Sequence, residues 1–342
     1  MRPQTRLFST FRQLSSHENP LGLPKSGTPP PFRSRKGLPQ KRLIKDVAKV
    51  IAVSSAKGGV GKSTIAVNLA LAFARKGLRT GILDTDIYGP SIPTLLNLSG
   101  EPRLDENNCI IPLTNYGLKS MSMGYLLPQT SNPTPASSIT LDPSSPPLDT
   151  TPISWRGLMV TRAMEQLLHS VSWGALDVLF LDLPPGTGDV QLTINQGINV
   201  DGAVIVSTPQ DIALRDAVRG YGLFKRMDIP VLGMVRNMAF FACPHCGEET
   251  RIFSRRGSKH EHEHAGLRTE EEDDMSVRSA CKQLGIDFLG DIPLDARVCE
   301  DADRGMPTVV AEEKDGRSVR RNAFMSVAEK VAKNAKIEWP ST

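Results

Sequence analysis

The sequence predicts an α/β fold: a mostly parallel central sheet with helices on both faces. Three observations predict it. From Val50 onward, short apolar runs alternate with helical segments, which is the rhythm of βα units. One of these runs enters a Gly-rich turn and then an amphipathic helix, "VIAVSSAKGGVGKSTIAVNLALAF". Two others end in carboxylates, at Asp84/Asp86 and at Asp182, and ligands of open α/β sheets sit at such C-terminal strand ends.

In order, the first strand is "VIAVSSA" (50–56), with a helix over about 62–76 behind it. "RTGILDTD" (79–86) and "LKSMSM" (118–123) are the next two strands. A helix over 156–171 leads to the strand "DVLFLDL" (177–183), and a shorter one at 190–198 to "GAVIVST" (202–208). The helix 211–227 precedes "VLGMVRN" (231–237), and the helix 276–284 precedes "FLGDIP" (288–293). The last helix is expected over 317–335, where Phe324, Val327, Ala328 and Val331 make a modest stripe suited to packing on the core. No internal repeat interrupts this order. The expected domain spans 46–338.

Two polar segments break the rhythm. Residues 128–152 are rich in Pro, Ser and Thr and read as a disordered surface loop. Residues 254–276 are a charged excursion carrying His260, His262 and His264, read as a solvated insertion more than a metal site because nothing holds the histidines in place.

A chain of 342 residues can bury a sizeable core in one large or two modest domains. No apolar run approaches the roughly 18 residues of a membrane span, so no integral membrane segment is expected. The net charge of +4 is uneven: residues 1–45 hold ten Lys/Arg against Glu18, a net +9, and the remainder carries −5. A globally basic, nucleic-acid-binding body is not indicated. The N-terminal 45 residues are instead Arg- and Ser-bearing and nearly acid-free. Leu7, Phe8, Phe11 and Leu14 share one helical face, and a Pro-rich linker follows. This is the pattern of a mitochondrial transit peptide. Five cysteines, an odd number, argue for thiols kept reduced, as in the mitochondrial matrix.

The Gly-rich turn carries the strongest chemical signal. Gly58, Gly59 and Gly61 let successive N–H groups point inward as an anion nest, and the following helix adds its positive end. Lys62 reaches the β- and γ-phosphates, and the Ser63 hydroxyl can ligate Mg²⁺. With Val60 and Thr64 these residues form the expected ATP site. Asp182 closes a nearly all-apolar strand, where an acid is costly without a cation, so it is the expected partner of Mg²⁺ through water. Asp86 is the candidate to orient the attacking water or take its proton; Asp84 reads equally as a structural cap. In "PPGTGD", Gly186 and Gly188 allow a switch. Asn237 either reads an adenine edge, with "IPLD" (292–295) alongside, or simply turns the chain after its strand.

"CPHC" holds Cys243 and Cys246, half of the about four ligands that zinc or an iron–sulfur cluster needs. Cys109, Cys281 and Cys299 show no second paired spacing and read mostly as buried apolar residues.

The usual first glycine of the phosphate loop is Ala56 here, and a second lysine, Lys57, follows. "KGGVGKST" resembles the deviant Walker A motif of dimerising P-loop NTPases, in which the extra lysine crosses to the partner's phosphates. "DTDIYGPSIP", "WRGLMVTRAM", "LDLPPGTGD", "STPQDIALRDA", "NMAFFACPHCG" and "LGDIPLD" extend the likeness over roughly Val47 to Lys336. On these motifs the chain resembles the Mrp/ApbC iron–sulfur cluster carriers, and it is similar to their mitochondrial member associated with respiratory complex I assembly. The resemblance implies a deviant P-loop ATPase fold, slow ATP hydrolysis with Mg²⁺, and catalytic roles for Lys57, Lys62, Asp86 and Asp182. It further implies a homodimer that holds a [4Fe–4S] cluster on Cys243 and Cys246 of each subunit and passes it to apoproteins. A two-fold axis brings a residue near it against its own copy, so one pair becomes four thiolates. Four thiolates suit zinc as well; a structural zinc clip is the alternative, as is a positional ATPase of the partitioning kind. A thioredoxin-like redox pair and a nitrogenase-like reductase fit less well. The chain departs from the family's pattern at Leu158, at "IFSRRGS" and at Arg236.

Overall fold

Among the described residues eight strands form one sheet, in the order β10 (Phe288–Asp291), β7 (Val231–Arg236), β6 (Gly202–Ser207), β1 (Val47–Ser54), β5 (Leu176–Asp182), β2 (Thr80–Asp84), β4 (Leu118–Ser122), β3 (Leu113–Asn115). The structure is a computed structural model describing residues 41–86, 89–126, 166–186, 196–243, 248–253, 270–311 and 318–340, with Met164, Gln191 and Ile194 besides. The expected transit segment up to residue 40, the loop 128–152, the histidines 260–264, Leu158, Gly188 and Cys246 lie outside those residues.

The central strands are β1, β5, β6 and β7. They pair in parallel with β2, β4 and β10, and only β3 runs antiparallel, against β4. The sequence reading identified every parallel strand, the central ones because they are covered on both faces and stay mostly apolar, as in "LDVLFLD" and "GAVIVS". It missed β3, a three-residue edge strand.

Alternate strand residues divide between two cores. Ile51, Val53, Phe180 and Val204 face α1 (Lys62–Arg75). Ala52, Leu179, Leu181 and Ile205 face the other way, toward α3 (Asp211–Arg226) and α4 (Glu270–Leu284). The first face also carries α2 (Ile92–Leu95), α5 (Ala296–Asp303), α6 (Thr308–Ala311) and α7 (Val319–Asn334). The α7 stripe of Phe324, Val327, Ala328 and Val331 is buried in this core, as its spacing suggested. Among the described residues, no helix is long and apolar enough to cross a membrane.

Two boundaries differ from expectation. Packing begins before residue 46: Arg42 pairs with Ile198, and Ile44 is buried. The helix expected from 276 begins at Glu270, so the end of the charged excursion is helical.

The parallel arrangement places the C-terminal ends of β1, β2, β5 and β7 along one edge of the sheet. The loops leaving those ends build the site.

Candidate nucleotide site and cysteine hairpin

β1 ends buried at Ser54, and the chain turns through Gly59 (φ 78°) and Gly61 (φ 79°) into α1. Both angles are left-handed, where a side chain is strained. Gly61 is further constrained, because a Cβ there would lie 2.3 Å from the Asn237 amide nitrogen. The first turn of α1 leaves its N–H groups free for an anion.

Lys62 opens α1 and folds back onto the end of β5. Its Nζ lies 2.5 Å from Asp182 Oδ1 and 3.3 Å from Ser63 Oγ. The pair is buried, with side-chain exposures of 7% for Lys62 and 0% for Asp182. Burial pushes the Asp182 carboxyl up, against the opposing pull of the Lys62 charge. Its second oxygen, Oδ2, is buried without a hydrogen-bond partner.

Asp84 and Asp182 are register partners on β2 and β5. The Asp84 carboxylate accepts from the Asp86 N–H (3.0 Å), the Ile92 N–H (3.3 Å) and the Ser122 hydroxyl (3.0 Å). Burial, and then the Asp182 charge, push its carboxyl up to about 7. Asp84 therefore ties down both ends of the loop leaving β2, which is its capping alternative. Asp86 sits half-buried at the start of that loop and faces the cavity. On the β5 side, Gly186 (φ 94°) donates its N–H to the Ser55 carbonyl, docking the loop after β5 onto the end of β1.

These loops enclose a cavity of about 550 Å³. Gly58, Gly59, Gly61, Lys62, Ser63 and Thr64 line it, with Asp86 and Pro185 at one flank. Its far wall is α2 and α5, through Ser91, Thr94, Val298, Cys299 and Asp303. Sequence reading missed that wall. α5 buries none of its residues fully, so it carries no apolar stripe to find; its one signal was the position directly after "IPLD". Val60 lies behind the loop, 4% exposed. Lys57 is exposed, while its carbonyl accepts from Ser55 Oγ.

The oxygens grouped around the Lys62 ammonium fit a hard cation. Ser63 supplies a hydroxyl and Asp182 a carboxylate with one unsatisfied buried oxygen, the donor types that Mg²⁺ prefers. When bound, the cation neutralises phosphate charge; Ser63 and Asp182 are the residues that would hold it.

Asn237 is placed against the phosphate loop. It is 8% exposed, and its Nδ2 donates to the Val60 carbonyl at 2.9 Å, bracing the back of the phosphate loop. Arg236, one of the departures from the family pattern, is turned inward. Its guanidinium makes a two-pronged contact with Asp291, at 2.5 and 2.8 Å, and lies over the Phe288 ring. Such a fork suits arginine and carboxylate geometry, and it ties β7 to β10.

Past Asn237, Met238 takes a left-handed φ of 55° and the chain continues beside residues 292–294: the Ala239 N–H donates to the Ile292 carbonyl, and the Leu294 N–H to the Phe240 carbonyl. It then forms a small antiparallel hairpin of β8 (Phe241–Ala242) and β9 (Glu249–Thr250). Cys243 follows β8, is half-buried, and donates its N–H to the Glu248 carbonyl. Among the described residues no three His, Cys, Asp or Glu side chains cluster as a metal site. The other cysteines correct the expectation in part. Cys281 is buried, and burial pushes its thiol up to about 11, but Cys109 is half-buried and Cys299 exposed.

Comparison with known proteins agrees with this architecture. The family model described as "ParA: NUBPL iron-transfer P-loop NTPase" matches residues 46–139 and 145–332. The chain is 44% identical over 303 residues to the mouse (Mus musculus) iron-sulfur cluster transfer protein NUBPL, covering 88% of this chain and 82% of that one. It is 40% identical over 291 residues to an Arabidopsis thaliana iron-sulfur protein required for NADH dehydrogenase, mitochondrial, covering 85% and 80%. Among solved structures, a nucleotide-binding protein from Archaeoglobus fulgidus in complex with ADP superposes with a TM-score of 0.59 at 31% identity, covering 81% and 93%. The septum site-determining protein MinD of Pyrococcus horikoshii, with Mg-ADP, shares the fold at a TM-score of 0.54 and 18% identity, covering 84% and 97%.

Proposed function

The chain belongs to the NUBPL family of iron-transfer P-loop NTPases, and on that premise we propose that it is an ATP-dependent iron–sulfur cluster carrier of the mitochondrial matrix. The cluster, [4Fe–4S], is cargo held between two copies of the chain on Cys243 and Cys246 of each. The recipients are apoproteins, with subunits of respiratory complex I foremost, in line with the relative named for NADH dehydrogenase. The basic N-terminal segment directs import as a transit peptide.

One observation carries the reading: the phosphate-loop brace and the cysteine hairpin are the same stretch of chain. Asn237 contacts the loop, and Cys243 follows six residues later. A protein that only hydrolyses ATP has no use for a thiol pair on that extension.

The proposed roles follow from position. Gly58 to Thr64 wrap the phosphates, and Lys62 turns from Asp182 to the β- and γ-phosphates when they arrive. Asp182 and Ser63 then hold Mg²⁺, and Asp86, half-buried at the cavity flank, orients the attacking water. Lys57, exposed at the loop's outer side, reaches the partner's nucleotide, where a cation offsets charge developing in phosphoryl transfer. A cluster bridging two chains is released more readily than one enclosed by a single chain, because separating the chains removes half its ligands.

The test is transfer. Protein loaded anaerobically is mixed with an apo-[4Fe–4S] enzyme and a chelator that traps free iron, with and without Mg-ATP. The wild type is expected to restore the recipient's activity despite the chelator, and the Cys243→Ser/Cys246→Ser double variant to restore none. Equal restoration by the variant would overturn the proposal.

A further inference from the structure

We infer that Asn237 is a positioning residue that couples the phosphate loop to the cysteine hairpin, so that the loop's nucleotide state sets how Cys243 is presented. The inference rests on the carrier reading above and adds the route by which nucleotide and cargo communicate within one chain.

Two contacts fix Asn237 against the loop. Its Nδ2 donates to the buried Val60 carbonyl at 2.9 Å. The same nitrogen sits where a Gly61 Cβ would be, at 2.3 Å. Glycine therefore lets the loop backbone and the amide approach, and a shift of the loop must either move Asn237 or break the bond. A buried carbonyl left without its donor is costly, so the two arrangements are discrete. Asn237 lies outside the phosphate cavity's lining, so the contact it makes is with the loop's backbone from behind.

The segment beyond Asn237 is built to carry a displacement. The Asn237 N–H is held by the Ser207 carbonyl at the end of β6. Met238 then adopts a left-handed φ of 55°, an uncommon conformation for a side-chain-bearing residue that persists only where neighbours enforce it. The bonds Ala239 N–H to Ile292 carbonyl and Leu294 N–H to Phe240 carbonyl hand the chain directly to β8 and Cys243. Coupling needs a contiguous packed path and an element with two arrangements; the Val60–Asn237 bond, made or broken, is that element.

The experiment reads thiols in the full-length protein without cluster. Brief pulses of N-ethylmaleimide are applied with and without saturating Mg-ATP, and alkylation is quantified at individual cysteines by peptide mass spectrometry. Cys299 lines the cavity, so its protection reports nucleotide occupancy in the same sample. In the wild type, nucleotide is expected to change the Cys243 rate by about threefold or more, the size of a coupling of ~0.7 kcal/mol. In Asn237→Ala, at concentrations that protect Cys299, the two Cys243 rates should coincide. Asn237→Ser, too short to reach Val60, should behave alike and serves if the alanine variant does not fold. Hydrogen exchange at amides 239–243 of the wild type, which needs no variant, should also respond to nucleotide. The inference is overturned if either variant keeps the wild-type response, or if the wild type shows none by both measurements. It is equally overturned if the variants keep the response and lose only their preference for ATP over GTP, the signature of a base reader. Since no cluster is involved, the absence of a nucleotide response by both measurements, alongside normal cluster uptake, sinks the coupling and leaves the carrier reading intact.

Discussion

The Lys62 ammonium and the Asp182 carboxylate form an ion pair at 2.5 Å, across the end of β5, with both side chains buried. Each group that binds phosphate or cation is thus neutralised by the other in the nucleotide-free protein. Removing one partner leaves an uncompensated buried charge, which is far worse than losing both. Lys62→Met should lower the stability of the metal-free protein by about 2–3 kcal/mol at pH 8, measured by urea denaturation in a chelator. Protonation of Asp182 limits that loss. An acid whose folded pKa is raised binds its proton more tightly when folded, so stability is present at low pH and lost as pH rises through the folded pKa. The deficit of Lys62→Met should accordingly shrink toward pH 5. A deficit that grows on acidification would contradict this account of the pair.

Gly61→Ala should weaken nucleotide binding by tenfold or more in a titration with a fluorescent ADP analogue. Two causes act together: the left-handed φ of 79° and the 2.3 Å approach to Asn237. At Gly58 a Cβ meets nothing within 4 Å and the φ is not left-handed. Gly58→Ala should therefore fold normally, whereas Gly59→Ala, with a left-handed φ of 78° and nothing within 4 Å of its Cβ, separates strain from crowding.

Asp291→Ala should cost about 2 kcal/mol in denaturant unfolding. Arg236 is 1% exposed and Asp291 18%, so the guanidinium is left under-compensated inside while the lost carboxylate was partly solvated. Because the pair joins the strands that lead to the hairpin, the variant should also show faster hydrogen exchange at residues 239–243.

Among the described cysteines, Cys281 should be the slowest to alkylate at pH 8. Burial pushes its thiol up to about 11, so little thiolate exists to react. Half-buried Cys243 and exposed Cys299 should react at least tenfold faster in peptide-resolved mass spectrometry.

The sheet and the phosphate loop were legible in the sequence because their physical requirements are local. A strand covered on both faces must be apolar throughout, as "DVLFLDL" is, and a nest of N–H groups needs glycines at set spacings. The small hairpin was not legible, since strands of two residues have no period. α5 was missed because a helix with no fully buried residue looks like a polar loop. Asp84 and Asp86 both stood at a strand end, and only tertiary contacts separate them: Asp84 is spent on three loop hydrogen bonds, and Asp86 is left at the cavity. Asn237 shows the same limit, since its contact with the Val60 carbonyl, 177 residues away, has no mark in the sequence. The odd Arg236 found its reason in Asp291, a partner 55 residues away.

The central claim is that two chains hold one cluster on Cys243 and Cys246. Its most direct test is anaerobic reconstitution of the purified protein, with iron and sulfide counted against oligomeric mass and the absorption spectrum recorded. The account predicts a dimer carrying about four iron and four sulfide, with the broad visible absorption of a cubane, and none of it in the Cys243→Ser/Cys246→Ser variant. A cluster retained by that variant, or a dimer that takes up one zinc ion and no sulfide-bound iron, would contradict it.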